Sequence, residues 1–117
     1  EHGFETWGNM PHEVDRMISL LQSKKPKGTL FLSGDRHIAE ISGRAVEGLP
    51  YPLIDITASG MTHSYSSFRG EPNRYRLSEV VTEKNFGVLK FDLDESRLTM
   101  EIRSEHNELL AEHTQRY

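Results

Sequence analysis

A chain of 117 residues has the length of one domain, and such a domain should hide a little under two-thirds of its unfolded surface, enough for a single core. Only 35% of the residues are apolar and 27% are charged, so the core must come from a few concentrated segments, and the net charge of −4 with mixed signs offers no basic stripe to nucleic acid or an anionic membrane. The absence of cysteine excludes disulfides, zinc-thiolate sites and cysteine nucleophiles, and no apolar run approaches the roughly 20 residues that span a bilayer. Any metal would have to be held by oxygen and nitrogen donors.

The opening Glu1-His2-Gly3-Phe4 has no signal-peptide pattern and no initiator Met, and reads as cut from something longer. Glu1 to Met10 is expected to be an extended lead-in whose Trp7 either packs on the domain or meets a partner surface. Pro11 then suits the first turn of a helix, acidic Glu13 and Asp15 suit its positive end, and Val14, Met17, Ile18 and Leu21 recur at helical spacing. His12 reads as a surface residue of that first turn. Lys24, Lys25 and Lys27 lie where the helix dipole is negative, and Pro26 with Gly28 is expected to end the helix.

Thr29-Leu30-Phe31-Leu32 reads as a strand buried on both faces, closed by Ser33-Gly34. Helix, basic turn and strand form one α/β unit, and in open α/β sheets ligands bind at the C-terminal ends of the strands. The strand ends in Gly34-Asp35-Arg36-His37, where the glycine is expected to allow a sharp turn that presents a carboxylate and an imidazole one residue apart. Alone, this tetrapeptide is a weak signal and reads more readily as a solvated turn with a surface His.

Ile38-Ala39-Glu40-Ile41 fits a short helix or strand, broken by Ser42-Gly43. Pro50 and Pro52 force an extended lead into a second strand, Leu53 to Ala58, which ends in Ser59-Gly60 with His63 close behind. Met61 to Lys84 has little periodicity and interleaves Tyr65, Phe68 and Tyr75 with polar residues, the pattern of a packed covering loop at the rim of a site. Arg69, Arg74 and Arg76 on it are either solvated charges or contacts for an anionic substrate. Asn85 to Leu93 and Arg97 to Ser104 form an antiparallel hairpin through Asp94-Glu95-Ser96, with Leu98, Met100 and Ile102 inward and Thr99, Glu101 and Arg103 outward. After a turn at Glu105-His106-Asn107, Glu108 to Thr114 is a weaker edge strand and Gln115 to Tyr117 a frayed end. His106 and His113 read as surface residues of this scaffold.

Four blocks in order, namely Trp7 with the helix, Leu32 to His37, Thr57-Ala58-Ser59-Gly60-Met61-Thr62-His63 and Asn85-Phe86-Gly87-Val88-Leu89, resemble the C-terminal part of PhoD-like alkaline phosphatases, members of the metallophosphoesterases. The resemblance implies the C-terminal half of a layered α/β/β/α sandwich ending in an antiparallel meander. It implies hydrolysis of phosphate monoesters or diesters by a metal-activated water, at a cluster that contains calcium and iron. Asp35 and His37 match the family's terminal metal-ligand motif, and their chemistry agrees, since a carboxylate suits hard calcium or ferric iron and an imidazole suits a transition metal. Arg36 is a candidate phosphate contact or a surface ion pair, and His63 a candidate substrate-facing or supporting residue. Ser59 is a turn residue, because a metal-hydroxide reaction requires no serine nucleophile.

None of the family's amino-terminal ligand motifs, of the kinds Asp-x-His, Gly-Asp-x-x-Asp and Gly-Asn-His-Asp/Glu, precedes this turn, and two ligands cannot hold a cluster. The resemblance therefore implies a partner, the N-terminal half of the same protein, and little activity without it. The alternatives are a non-catalytic module that binds a protein partner, or a fragment that self-associates into a homo-oligomer through apolar sheet surface.

Overall fold

The computed structural model describes residues 5–117, and the reading of Glu1-His2-Gly3-Phe4 lies outside the described residues. The chain is mixed α/β and consists mostly of strands in two sheets. A 3-10 turn over Trp7–Asn9, begun by Thr6, replaces the expected extended lead-in, and the Trp7 ring packs against Phe31 at 6.2 Å between centroids. Helix α1, Pro11–Lys24, starts at the proline as its fixed φ favours. Its end differs from expectation. Lys25 itself takes the left-handed conformation at φ 47° and donates to the Leu21 carbonyl at 2.8 Å, so the cap forms before Pro26 and Gly28 are reached.

The first sheet has the order β1 (Leu30–Ser33), β3 (Leu53–Ala58), β2 (Ala39–Arg44), with β1 parallel and β2 antiparallel to the central β3. Two expectations change here. Strand β1 is an edge, not a strand buried on both faces: among the described residues it pairs only with β3, and Leu32 is 67% exposed although its register partner Ile56 is buried. Strand β2 runs straight through Ser42-Gly43. The glycine is needed because a Cβ there would meet Leu77 Cδ1 at 2.6 Å and Ile54 Cδ1 at 2.8 Å, so side-chain crowding, not a break, accounts for it.

The second sheet is the antiparallel meander β4 (Asn85–Asp92), β5 (Arg97–Ser104), β6 (Leu109–Arg116). Ala39, Ile41, Ile54 and Ile56 from the first sheet share one apolar cluster with Leu98, Met100 and Ile102 from the second. The sheets thus pack face to face. On the opposite face of the first sheet, Leu21 of α1 packs with Tyr51 and Leu53. The expected inward set of β5 is confirmed, but Glu101 on its other face is also buried, because Arg103 (2.6 Å) and Lys90 close over its carboxylate. Those charge-assisted bonds hold the Glu101 carboxyl below the ordinary glutamate range, the Arg103 bond contributing most.

The tail is not frayed. Tyr117 donates its N–H to Ser96 at 2.8 Å, stands edge-on to Tyr51 at 4.9 Å and reaches the Thr29 carbonyl with its hydroxyl at 3.3 Å. His113 differs too: it sits opposite Met100 and is partly buried, which pushes its imidazole below the usual range. His12 and His106 are exposed as expected.

Where β3 ends, the two sheets are clasped. Asn85 is buried, its N–H donates to the Gly60 carbonyl at 3.1 Å, its Oδ1 accepts from the Gly60 N–H at 3.3 Å, and its Nδ2 donates to Glu83 at 2.8 Å. A Cβ on residue 60 would overlap that amide. Gly60→Ala is therefore expected to cost about 1–3 kcal/mol in urea denaturation, as overpacking of a closed site does. Stability equal to that of the parent would show that the clasp yields freely.

Candidate functional site

Strand β1 stops at Ser33, and the four residues after it make the turn. Its left-handed positions are Asp35 at φ 69° and His37 at φ 54°, while Gly34 keeps a negative φ. The expected glycine hinge is thus replaced by two side-chain-bearing residues, of types that tolerate this conformation better than most. Both are exposed, so neither side chain is drawn into the core. Such backbone persists only where its surroundings hold it, and here they do: the His37 carbonyl accepts from Tyr65 N–H at 2.7 Å, while the buried Ile38 carbonyl accepts from both the N–H (3.2 Å) and the hydroxyl (3.1 Å) of Ser59. Ser59 is therefore a turn-bracing residue.

Residues 61–84 pack along the free edge of β2 as a covering loop. Val81 exchanges both backbone bonds with Ala39, Leu77 donates to Ile41, and Gly43 donates to Tyr75. The start of this loop lies against the turn. The His63 ring stacks beside that of His37, with centroids 6.1 Å apart and planes inclined by 28°, and His63 Nδ1 is 3.0 Å from the Thr62 hydroxyl. Arg36 points to Glu71 of the same loop at 2.5 Å, with both side chains largely covered. Of the other arginines weighed as anion contacts, Arg76 is paired with Glu40 at 2.6 Å, Arg74 lies over the Tyr75 ring at 4.9 Å, and Arg69 is exposed.

Beside the turn, a cleft of about 570 Å³ opens between the Trp7 turn, α1 and the outer face of the first sheet, lined by Trp7, Phe31, Asp35, Arg36, Asp55 and Thr57 among others. Sequence reasoning gave no role to Asp55. Its one signal was a lone acid inside the apolar run Leu53-Ile54-Asp55-Ile56. Ser33 donates to its Oδ2 at 2.6 Å and Thr57 lies 3.4 Å from its Oδ1, but burial outweighs these bonds and pushes the carboxyl above the ordinary aspartate range.

Calcium takes six to eight oxygen ligands, and iron in such a cluster takes several more donors. Asp35 and His37 supply two, and among the described residues no group of three or more His, Asp and Glu side chains gathers around one point. The described residues do not by themselves fit the calcium and iron that the resemblance implies. Among the described residues no helix is long and apolar enough to cross a membrane. Comparison with known protein families, with curated proteins and with solved structures finds no match to this chain.

A raised carboxyl means that the folded state holds the Asp55 proton more tightly than the unfolded state. Stability is therefore expected to fall as pH rises from the ordinary aspartate value of 3.8 through the raised one. Asp55→Asn, which keeps an acceptor for Ser33, should melt at a higher temperature than the parent near neutral pH and at nearly the same temperature in acid, as followed by circular dichroism. A lower melting point at neutral pH would contradict the burial argument.

Proposed function

We propose that this chain contributes the Asp35–His37 turn to a metal-dependent phosphomonoesterase or phosphodiesterase, a PhoD-like metallophosphoesterase whose remaining donors come from outside the described residues. The observation that carries this reading is the pair of left-handed residues at the C-terminal end of β1. Both are exposed and side-chain-bearing, and they offer one carboxylate and one imidazole in a backbone that glycine would adopt more cheaply. The position agrees with ligand binding at strand ends in α/β sheets, and the two donor types together suit a mixed metal site.

In this reading the upstream half of the same protein is the partner that completes the coordination, and a phosphate ester is the substrate. Arg36 serves first as the tie that holds the loop to the turn through Glu71, and contact with phosphate would require it to share that pair. His63 stands next to His37 on the exposed side, where a substrate would arrive. Calcium and iron are the metals carried over from the family resemblance.

A second reading, a non-catalytic module that binds a protein partner or a second copy of itself, is favoured by the open edge of β1. Leu32 is 67% exposed on that strand, and Phe91 and Leu93 at the end of β4 are 64% and 83% exposed.

Hydrolysis of a chromogenic phosphate monoester and diester, with metal content measured in parallel, separates the two. The natural polypeptide that carries this sequence should hydrolyse at least one ester and lose at least about 100-fold in kcat/KM on Asp35→Asn or His37→Ala, with metal lost as well. Full activity in either variant would remove these residues from the site.

A further inference from the structure

The outer face of the first sheet changes character along β3. Leu53 lies under α1 with Leu21 and Tyr51, but the next two residues on that face, Asp55 and Thr57, are polar and line the cleft beside the helix. We propose that this cleft binds a small primary arylalkylamine as its ammonium ion, with the nitrogen on the Asp55 carboxylate and the ring against Trp7 and Phe31. The inference rests on the cleft and its floor, and stands whether or not the chain belongs to a phosphoesterase.

Charge selects the ligand. Asp55 takes one hydroxyl bond on each oxygen, from Ser33 and Thr57, which leaves about two of a carboxylate's roughly four acceptor sites open. Among the described residues no cation pairs with it, and the charge that acts on it is that of Glu40, of the same sign. The arginines of the cleft are engaged elsewhere, Arg36 with Glu71 and Arg44 over the Tyr75 ring at 5.7 Å, while Asp35 at the end of the cleft adds negative charge. Because burial pushes its carboxyl up, an ionised Asp55 weakens the fold, and stability gives no reason for an acid at this position. An ammonium ion supplies the missing countercharge, and a neutral or anionic ligand does not.

The aromatic walls select the rest. Phe31 is the register partner of Asp55, so ring and carboxylate stand on adjacent strands, about 5 Å apart at the backbone. Trp7 meets Phe31 at 6.2 Å with planes inclined by 58°, yet it stays 40% exposed, which leaves indole surface open to a ligand. An ammonium ion carried on an apolar ring suits that setting, since aromatic faces attract cations and the ring gains by burial against them. The volume of about 570 Å³ lies within the range of about 300–1,000 Å³ that takes up whole small molecules.

Trp7 is the chain's only tryptophan, so its fluorescence reads the site directly. Titration of the 117-residue chain with benzylamine at neutral pH should change that emission saturably, with a Kd of about 1 mM or tighter, and should raise the melting temperature followed by circular dichroism. Benzyl alcohol and benzoate, similar in shape, should bind at least about 10-fold more weakly. Asp55→Asn, which the burial argument expects to fold more stably than the parent, should lose at least about 10-fold in benzylamine affinity. Glu108→Gln, which removes an exposed carboxylate outside the cleft, should bind like the parent. Equal affinity for benzyl alcohol, unchanged benzylamine affinity in Asp55→Asn, equal loss in Glu108→Gln, or no saturable response in either readout at about 20 mM benzylamine would each overturn the assignment. Hydrolysis enters none of these readings, so failure here leaves the phosphoesterase proposal standing, and failure of that proposal leaves the amine site intact.

Discussion

The seam between the two sheets is the constraint on which the rest depends. Isoleucines 41, 54 and 56 on one side and Leu98, Met100 and Ile102 on the other remove a continuous apolar surface from water, and that burial fixes how the sheets face each other. Gly60 and Asn85 close the seam at the end of β3, since a residue without a side chain at position 60 leaves room for Asn85 to bond its N–H through Oδ1 and its carbonyl through the Asn85 backbone N–H. The chain after β3 must leave the core there. It leaves next to the turn that follows β1, because β1 and β3 are parallel neighbours whose C-terminal ends lie together. His37 and His63 meet as a consequence of sheet topology, and the Tyr65 bond to His37 holds that meeting in place.

A buried carboxylate and a half-buried one show how partners decide the sign of an electrostatic effect. Glu101 sits under Arg103 and Lys90, so its charge is matched and its carboxyl stays below the ordinary range. Asp55 has hydroxyl donors but no ion pair among the described residues, so the loss of water dominates and its carboxyl rises. The first is a structural tie across the outer face of the meander. The second is a stability cost beside the cleft that also contains Asp35 and Arg36.

Much of the fold was legible because it is local. The period of Val14, Met17, Ile18 and Leu21 gave the helix, the run from Leu53 to Ala58 gave the central strand, and the alternation of Leu98, Met100 and Ile102 gave the inward face of the meander. What failed was set by distant contacts. An apolar run such as Leu30-Phe31-Leu32 reads the same at the centre and at the edge of a sheet, since only the number of its neighbours differs. Ser42-Gly43 resembled a break because the crowding by Leu77 and Ile54 comes from elsewhere in the chain, and Tyr117 resembled a loose end because its aromatic partner, Tyr51, is 66 positions away. At the site, residue types drew attention to Asp35 and His37, but not the left-handed backbone at both, nor the stacking of His63, which depends on where a long irregular loop returns.

The account turns on His63 being carried to His37 by the sheet ends and held there. Nuclear Overhauser spectroscopy of the 117-residue chain, with amide exchange followed on the same sample, reads this most directly. Cross-peaks between the two imidazole rings, and a Tyr65 amide that exchanges more slowly than its loop neighbours, are the predicted result. Rings with no mutual cross-peak and a Tyr65 amide exchanging at the rate of an open loop would contradict it.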